Sequence, residues 1–169
     1  MTEDSQAVTV RQAATRDVDT VSSILFEASR WLDQRGTPMW CANDLRAACI
    51  AADVRDGLFF LGEHDAEPVG TIKFQLSDPE LWPDVPEGES AFIHRLAIRR
   101  RYSGGAVSSA LLSWATQRAE SLGRRYLRLD CEASRLRLRS VYERFGFQHH
   151  SDRQAGPYFV ARYEARLPR

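Results

Sequence analysis

The chain has 169 residues, enough for one domain with a real core, and its 43% hydrophobic and 27% charged content is that of a folded soluble protein rather than a disordered one. Basic and acidic side chains cancel to a formal net charge of zero, so there is no global positive field of the kind that draws nucleic acid. No apolar run reaches bilayer length and the opening Met1-Thr2-Glu3-Asp4 is acidic, unlike a secretory leader, so the expected setting is the cytoplasm with no membrane partner.

Read in order, Val8 to Gln12 is a first strand, and Thr15 is placed to cap a helix. Val21, Ile24, Leu25, Ala28 and Leu32 recur at helical spacing, and Gly36 with Pro38 ends that helix. A second helix is expected from Asn43 to about Val54. Leu58 to Glu63 and Val69 to Leu76 form a hairpin around Asp65 to Pro68. Asp78 to Glu89 carries three prolines and Gly88, and reads as a loop.

The most informative stretch follows, AFIHRLAIRRRYSGGAVSSALL from Ala91 to Leu112. It is a buried strand, then Arg99, Arg100 and Arg101, then a turn of small residues, then a helix. That helix carries Val107, Ala110, Leu111, Trp114, Ala115 and Leu122 on one face and stops at Gly123. A helix opening out of such a turn aims unpaired N–H groups and the positive end of its dipole at one spot, which favours phosphate.

Tyr126 to Cys131 is another strand, with Leu127, Leu129 and Cys131 on one face. Ser134 is placed to cap a helix bearing Leu138, Val141, Tyr142 and Phe145 and stopped by Gly146; Phe147 to His150 and Tyr158 to Leu167 are the last strands. Neither a repeat nor an internal linker interrupts the chain, so residues 1–169 read as one α/β domain. Cys41, Cys49 and Cys131 form no CxxC pair and read as reduced thiols, Cys131 as a core residue.

The element order over roughly Val8 to Leu167 resembles the GCN5-related N-acetyltransferase (GNAT) family, most specifically in IHRLAIRRRYSGGAVSSALL and in YLRLDCEASRLRLRSVYERFGF, which ends in a family-like Tyr142-Glu143-Arg144-Phe145-Gly146-Phe147. The resemblance implies a mixed central sheet of six or seven strands flanked by about four helices. It implies acetyl-CoA as acyl donor, held by main-chain amides of a bulged strand at Leu96, Ala97 and Ile98 and by the turn and helix start after it. Two registers of the family's Q/R-x-x-G-x-G/A turn compete. Arg101, Gly104 and Ala106 satisfy it literally; a gap-free alignment places it on Ser103, Ala106 and Ser108 and is preferred because it keeps the strand-to-helix spacing. Gly105 and Val107 complete the expected cradle. Arg135 stands where many relatives have asparagine and is expected either to reach a phosphate or to face solvent.

Acetyl transfer to an amine needs an acceptor for the amine proton, a partner for the oxyanion and a donor to the departing thiolate. The resemblance assigns the last role to Tyr142, whose phenol ordinarily titrates near ~10. His94, with an ordinary range near ~6.5, is the best candidate base, with Glu27, Asp78 and Glu89 as weaker alternatives. Taken alone, each has an ordinary structural reading: Tyr142 lies on an apolar helical face, and Phe92, Leu96 and Ile98 share the nominal strand face of His94. Trp31, Met39, Trp40 and Trp82 lie where relatives build the acceptor pocket, with Glu27, Asp33 and Asp84 nearby to suit a cationic amine. His149-His150 lacks a third metal ligand at useful spacing, so no metal is expected. The expected activity is direct acetyl transfer to a small-molecule primary amine in a ternary complex. The alternative is a catalytically degenerate member that only binds, motivated by the altered turn. An exposed edge near the last strands leaves a homodimer open.

Overall fold

The computed structural model describes residues 7–169. Among the described residues seven strands and four α-helices follow in chain order: β1 (Thr9–Gln12), α1 (Val18–Gln34), α2 (Ala47–Arg55), β2 (Phe59–His64), β3 (Glu67–Gln75), β4 (Ser90–Ile98), α3 (Ala106–Ser121), β5 (Tyr126–Glu132), α4 (Leu136–Phe145), β6 (Gln148–Ala155) and β7 (Tyr158–Arg166). The strands order β1-β2-β3-β4-β5-β7-β6 in one mixed sheet. Within it β4 runs parallel to β5, while β1–β2, β2–β3, β5–β7 and β6–β7 are antiparallel. The expected mixed sheet of six or seven strands with four helices is what the chain forms.

Two compact units make up the chain, the first from residues 1–73 and 95–114, the second from 74–94 and 115–169. The core of the first gathers Val21, Ile24 and Leu25 of α1, Leu45, Ile50 and Val54 around α2, Phe59 and Leu61 of β2, and Ala97. This is the apolar stripe that the helical spacing of α1 predicts. The β2–β3 hairpin turns on Asp65 and Ala66, both in the left-handed region at φ 52° and 62°, the geometry whose twist matches two antiparallel strands. Gly70 on β3 is required by close approach: a Cβ there would meet Ile98, Leu111 and Val107 at 3.0–3.1 Å.

In the second unit β5 pairs over its whole length with β7, from Tyr126↔Arg166 to Glu132↔Val160. Leu127, Leu129, Cys131, Tyr163 and Phe147 are buried there. The Arg128 guanidinium is buried too, held by Glu164 at 2.8 Å and by Ser90. Satisfying it matters, because an unpaired buried charge costs several kcal/mol, about 3–5 when one partner of such a pair is removed.

Local expectations shift at three places. Thr15 lies inside a short 3-10 turn and Asp17 precedes α1. The Asp17 carboxylate is not spent on that helix: it accepts the Ala14 amide at 2.7 Å and both ends of the Arg11 guanidinium, whose hydrogen bonds hold it at about 2, below the usual carboxylate range. Ser134 does not cap α4 either; its hydroxyl bonds Glu132 while Arg135 takes the capping position. The second predicted helix splits into a 3-10 turn at Ala42–Leu45 and α2, separated by the extended Arg46.

Candidate active site

In the first unit, β4 leaves Ile98 and passes through a 3-10 turn at Arg100–Tyr102 before α3 opens at Ala106. The Tyr102 and Ser103 amides bond back to the carbonyls of Arg99 and Arg100, and the helical ladder starts with Ser109 N–H to Gly105 O at 3.0 Å. Between them lie five consecutive main-chain N–H groups, Gly104, Gly105, Ala106, Val107 and Ser108, that donate to nothing among the described residues. Gly105 sits at φ 94°, where a side chain is strained, and a Cβ on Gly104 or Gly105 would meet nothing within 4 Å. The turn is open as well as donor-rich. These amides, with the positive end of a 16-residue helix behind them, fit a diphosphate.

The arginines beside it are anchored rather than free. Arg99 reaches Ser23 at 2.9 Å, and Arg101 bonds Glu67 and the Tyr102 hydroxyl. The Arg100 amide donates to Glu27 at 3.0 Å while its guanidinium lies 3.5 Å over the Trp31 ring. Glu27 and Trp31, expected to meet an acceptor, are thus both engaged in holding the turn. Trp40 is half-buried, with the Arg95 guanidinium 5.3 Å from its ring.

Backbone strain stands at one point in β4: Arg95 has φ 53°. A non-glycine residue there in mid-strand is costly and is found where function demands a distortion. Beyond Arg95, Ala97 is buried, while Leu96 and Ile98 are partly exposed, as His94 is.

In the second unit, β4 pairs with β5 from Ser90↔Tyr126 to Phe92↔Arg128. His94 lies two residues past that pairing, between two carboxylates. Its Nε2 is 2.9 Å from Asp78 Oδ2 and its Nδ1 3.6 Å from Asp130 Oδ1. The Asp78 side chain is 6% exposed and that of Asp130 12%. Asp78 Oδ1 accepts the Leu81 amide at 3.1 Å, which fixes the carboxylate from the other side. Asp78 Oδ2, His94 Nε2 and Asp130 Oδ1 are all sealed from solvent without a fully aligned hydrogen bond. Burial pushes the Asp78 carboxyl up, but the close approach of His94 together with the Leu81 and Glu80 amides more than offsets it, leaving it below the ordinary range. Asp130 lacks that help, and burial raises it to about 6. The three side chains bring ligand atoms within 4.8 Å of one another, within one cation's reach. This cluster is the feature the sequence reading missed in part: Asp78 stood only as a weak alternative base, and Asp130 was passed over. An acid inside the apolar strand Leu127–Cys131, on the face opposite Leu127, Leu129 and Cys131, was the available signal.

Tyr142 of α4 is 7% exposed, packed near Phe147 and Tyr163. Its hydroxyl bonds to nothing among the described residues. Burial first, then the nearby Cys131 and Asp130, raises its pKa well above the ordinary phenol value. The expected match to a thiolate therefore changes: this phenol is a hydrogen-bond donor that keeps its proton, rather than an acid poised near the thiol's own range. Cys131 is pushed up to about 11 by burial and is a core thiol. Arg135 does not face solvent; its side chain is 12% exposed and pairs with Glu132 at 3.3 Å. Trp82 is 2% exposed, with Phe92, His150 and the Arg162 guanidinium against it, and has no open face for an acceptor. Asp84 is bound to Arg162 at 2.6 Å, and that bond holds its carboxyl at about 2. Glu89 pairs with Arg125 at 3.2 Å.

The family profile described as "Acetyltransferase (GNAT) family" matches residues 25–147. An N-acetyltransferase of Bacillus subtilis (strain 168), the uncharacterised YesJ, is 28% identical over 144 residues, covering 80% of this chain and 79% of its own. A GNAT-family acetyltransferase from Listeria monocytogenes superposes with a TM-score of 0.80 at 24% identity over 95% of both chains. PaiA N-acetyltransferase from Thermoplasma acidophilum, solved with coenzyme A, superposes at 0.76 with 17% identity, over 95% of this chain and 99% of its own. YncA from Salmonella typhimurium, solved with acetyl-CoA, superposes at 0.71 with 15% identity, over 96% of this chain and 95% of its own.

Proposed function

Because the chain belongs to the GNAT acetyltransferase family, we propose that it moves an acetyl group from acetyl-CoA directly to the primary amine of a small molecule. The observation that carries this reading is the run of unclaimed amides from Gly104 to Ser108 at the start of α3. Such a run, with the positive end of the helix dipole behind it, is suited to hold an anion. Two structural relatives, PaiA with coenzyme A and YncA with acetyl-CoA, support the identity of that anion.

When bound, acetyl-CoA supplies a thioester carbon open to attack. The chain's own residues do the rest. The Gly104–Ser108 amides hold the diphosphate, and main-chain groups of Leu96, Ala97 and Ile98 line the acyl end. His94 takes the proton from the attacking amine, which must be neutral to attack. Tyr142 directs its unclaimed hydroxyl hydrogen at the departing sulfur and lowers the cost of its charge. A cationic acceptor is favoured by the two carboxylates, Asp78 and Asp130, flanking the one imidazole.

The test is release of free thiol from acetyl-CoA across a panel of primary amines: polyamines, amino-acid derivatives and amine-bearing antibiotics. The reading predicts turnover with one class, and loss of about a hundredfold or more in kcat for His94→Ala. No turnover with any amine, in protein that binds acetyl-CoA, would replace it with a non-catalytic binding role.

A further inference from the structure

We propose that Asp78 is a positioning residue for His94: it fixes the imidazole in the tautomer with the hydrogen on Nε2, leaving the Nδ1 lone pair to take the amine proton beside Asp130. The inference rests on His94 acting as the base.

The geometry carries it in three steps. Asp78 is anchored independently of His94, through Oδ1 to the Leu81 amide at 3.1 Å, so its Oδ2 is aimed before the imidazole arrives. Asp78 Oδ2 and His94 Nε2 are both shut off from solvent and stand 2.9 Å apart with no other claimant, so a small turn of the ring completes a charge-assisted hydrogen bond. A carboxylate accepts only, so the hydrogen must lie on Nε2, and Nδ1 is then the acceptor by elimination. Nδ1 is also the nitrogen that escapes complete enclosure, since Nε2 alone of the two is sealed.

Asp130 completes the arrangement. Its Oδ1 lies 3.6 Å from Nδ1, too far for a strong bond with neutral imidazole and near enough to steady the imidazolium once the proton arrives. The charged groups that face this cluster come from every neighbouring element of the unit: Asp78 and Glu80 from the loop after β3, Asp130 from β5 and Arg162 from β7. The proton balance is simple. The amine N–H bond breaks as the Nδ1–H bond forms, His94 becomes the imidazolium, and solvent later removes that proton.

The test is Asp78→Asn, which keeps an Oδ1 acceptor for Leu81 but replaces Oδ2 with an N–H donor. That donor pairs with a bare Nε2 and moves the hydrogen to Nδ1. Two readouts are needed. Nitrogen-15 NMR of histidine-labelled protein at pH 8, with His94→Ala to assign the signal, reports the tautomer without any substrate. Steady-state kinetics reports the consequence: kcat lower by about a hundredfold with KM within about threefold, since binding survives and proton transfer does not. Asp78→Glu, which retains the carboxylate, should recover part of kcat.

A wild-type spectrum with the hydrogen on Nδ1, or Asp78→Asn with kcat within threefold of wild type while His94→Ala is inactive, would overturn the positioning role. Full activity in His94→Ala would instead remove the base, and the spectrum would still report whether Asp78 sets the tautomer. If Asp78→Asn fails to fold, the wild-type spectrum and Asp78→Glu decide the matter.

Discussion

The amide run at Gly104–Ser108 and the Asp78–His94–Asp130 cluster are built by opposite means. The first is built from backbone and lies in the open, with side chains such as Glu27 only bracing the turn from behind. The second is built from side chains, is largely buried, and has three polar atoms that satisfy one another incompletely. A backbone site tolerates substitution wherever φ and ψ survive. A side-chain site fails when a single atom changes. This is why Ser103, Ala106 and Ser108 can stand in a turn whose family pattern prefers other residues, while Asp78 has no equivalent replacement.

The comparison can be broken at either end, most severely at the side chains. Tyr142→Phe removes only a hydroxyl that bonds nothing else among the described residues. We expect kcat to fall by about tenfold to a thousandfold with acetyl-CoA affinity unchanged, read from kinetics and from a binding titration on the same protein. Unchanged kcat would free Tyr142 of any part in thiolate departure.

At the backbone site the contrast lies between neighbours. Gly105→Ala forces a side chain into the left-handed region at φ 94°, whereas Gly104→Ala meets open space without that strain. The first should weaken acetyl-CoA binding about tenfold, from ~1–2 kcal/mol of strain; the second should change it less than threefold. Equal effects would mean that the loop does not bind through its present backbone geometry. A smaller effect separates Arg101→Ala from Ser103→Ala. Arg101 is already paired with Glu67 at an exposed position, where solvent screens the pair, so both substitutions should alter affinity by less than about threefold. A much larger loss for Arg101 would favour the literal register of the turn.

The mildest test concerns stability. Burial raises the Asp130 carboxyl to about 6, so between its ordinary value and that point the folded chain holds a proton that the unfolded chain has released. Stability therefore falls as pH rises through that window, and the full penalty persists above it. Asp130→Asn removes the penalty. The difference in unfolding free energy between variant and wild type should move in favour of the variant by about 2 kcal/mol from pH 4 to pH 7. A pH-independent difference would show that Asp130 titrates normally.

The same contrast explains what could be read in the sequence. The element order was legible because helices α1 and α3 and the strand at Leu127–Cys131 repeat their apolar residues at the period of their own geometry. The amide cradle was legible because glycine beside a helix start is a local signal. The kink at Arg95 was not, since nothing in IHRLAI marks a left-handed arginine. Nor was the pairing of Asp78 with His94 and Asp130, which joins a loop and two strands across 16 and 36 residues of chain. Glu27 and Trp31 were read as facing a cationic ligand; in the fold Glu27 accepts the Arg100 main-chain amide and Trp31 lies under the Arg100 guanidinium.

The most direct test of the account is calorimetric titration of the folded protein with acetyl-CoA and, separately, with coenzyme A. The account predicts one-to-one binding of both in the micromolar range. Absence of binding for either ligand would contradict it, because five amides aimed at nothing would then have no anion to explain them.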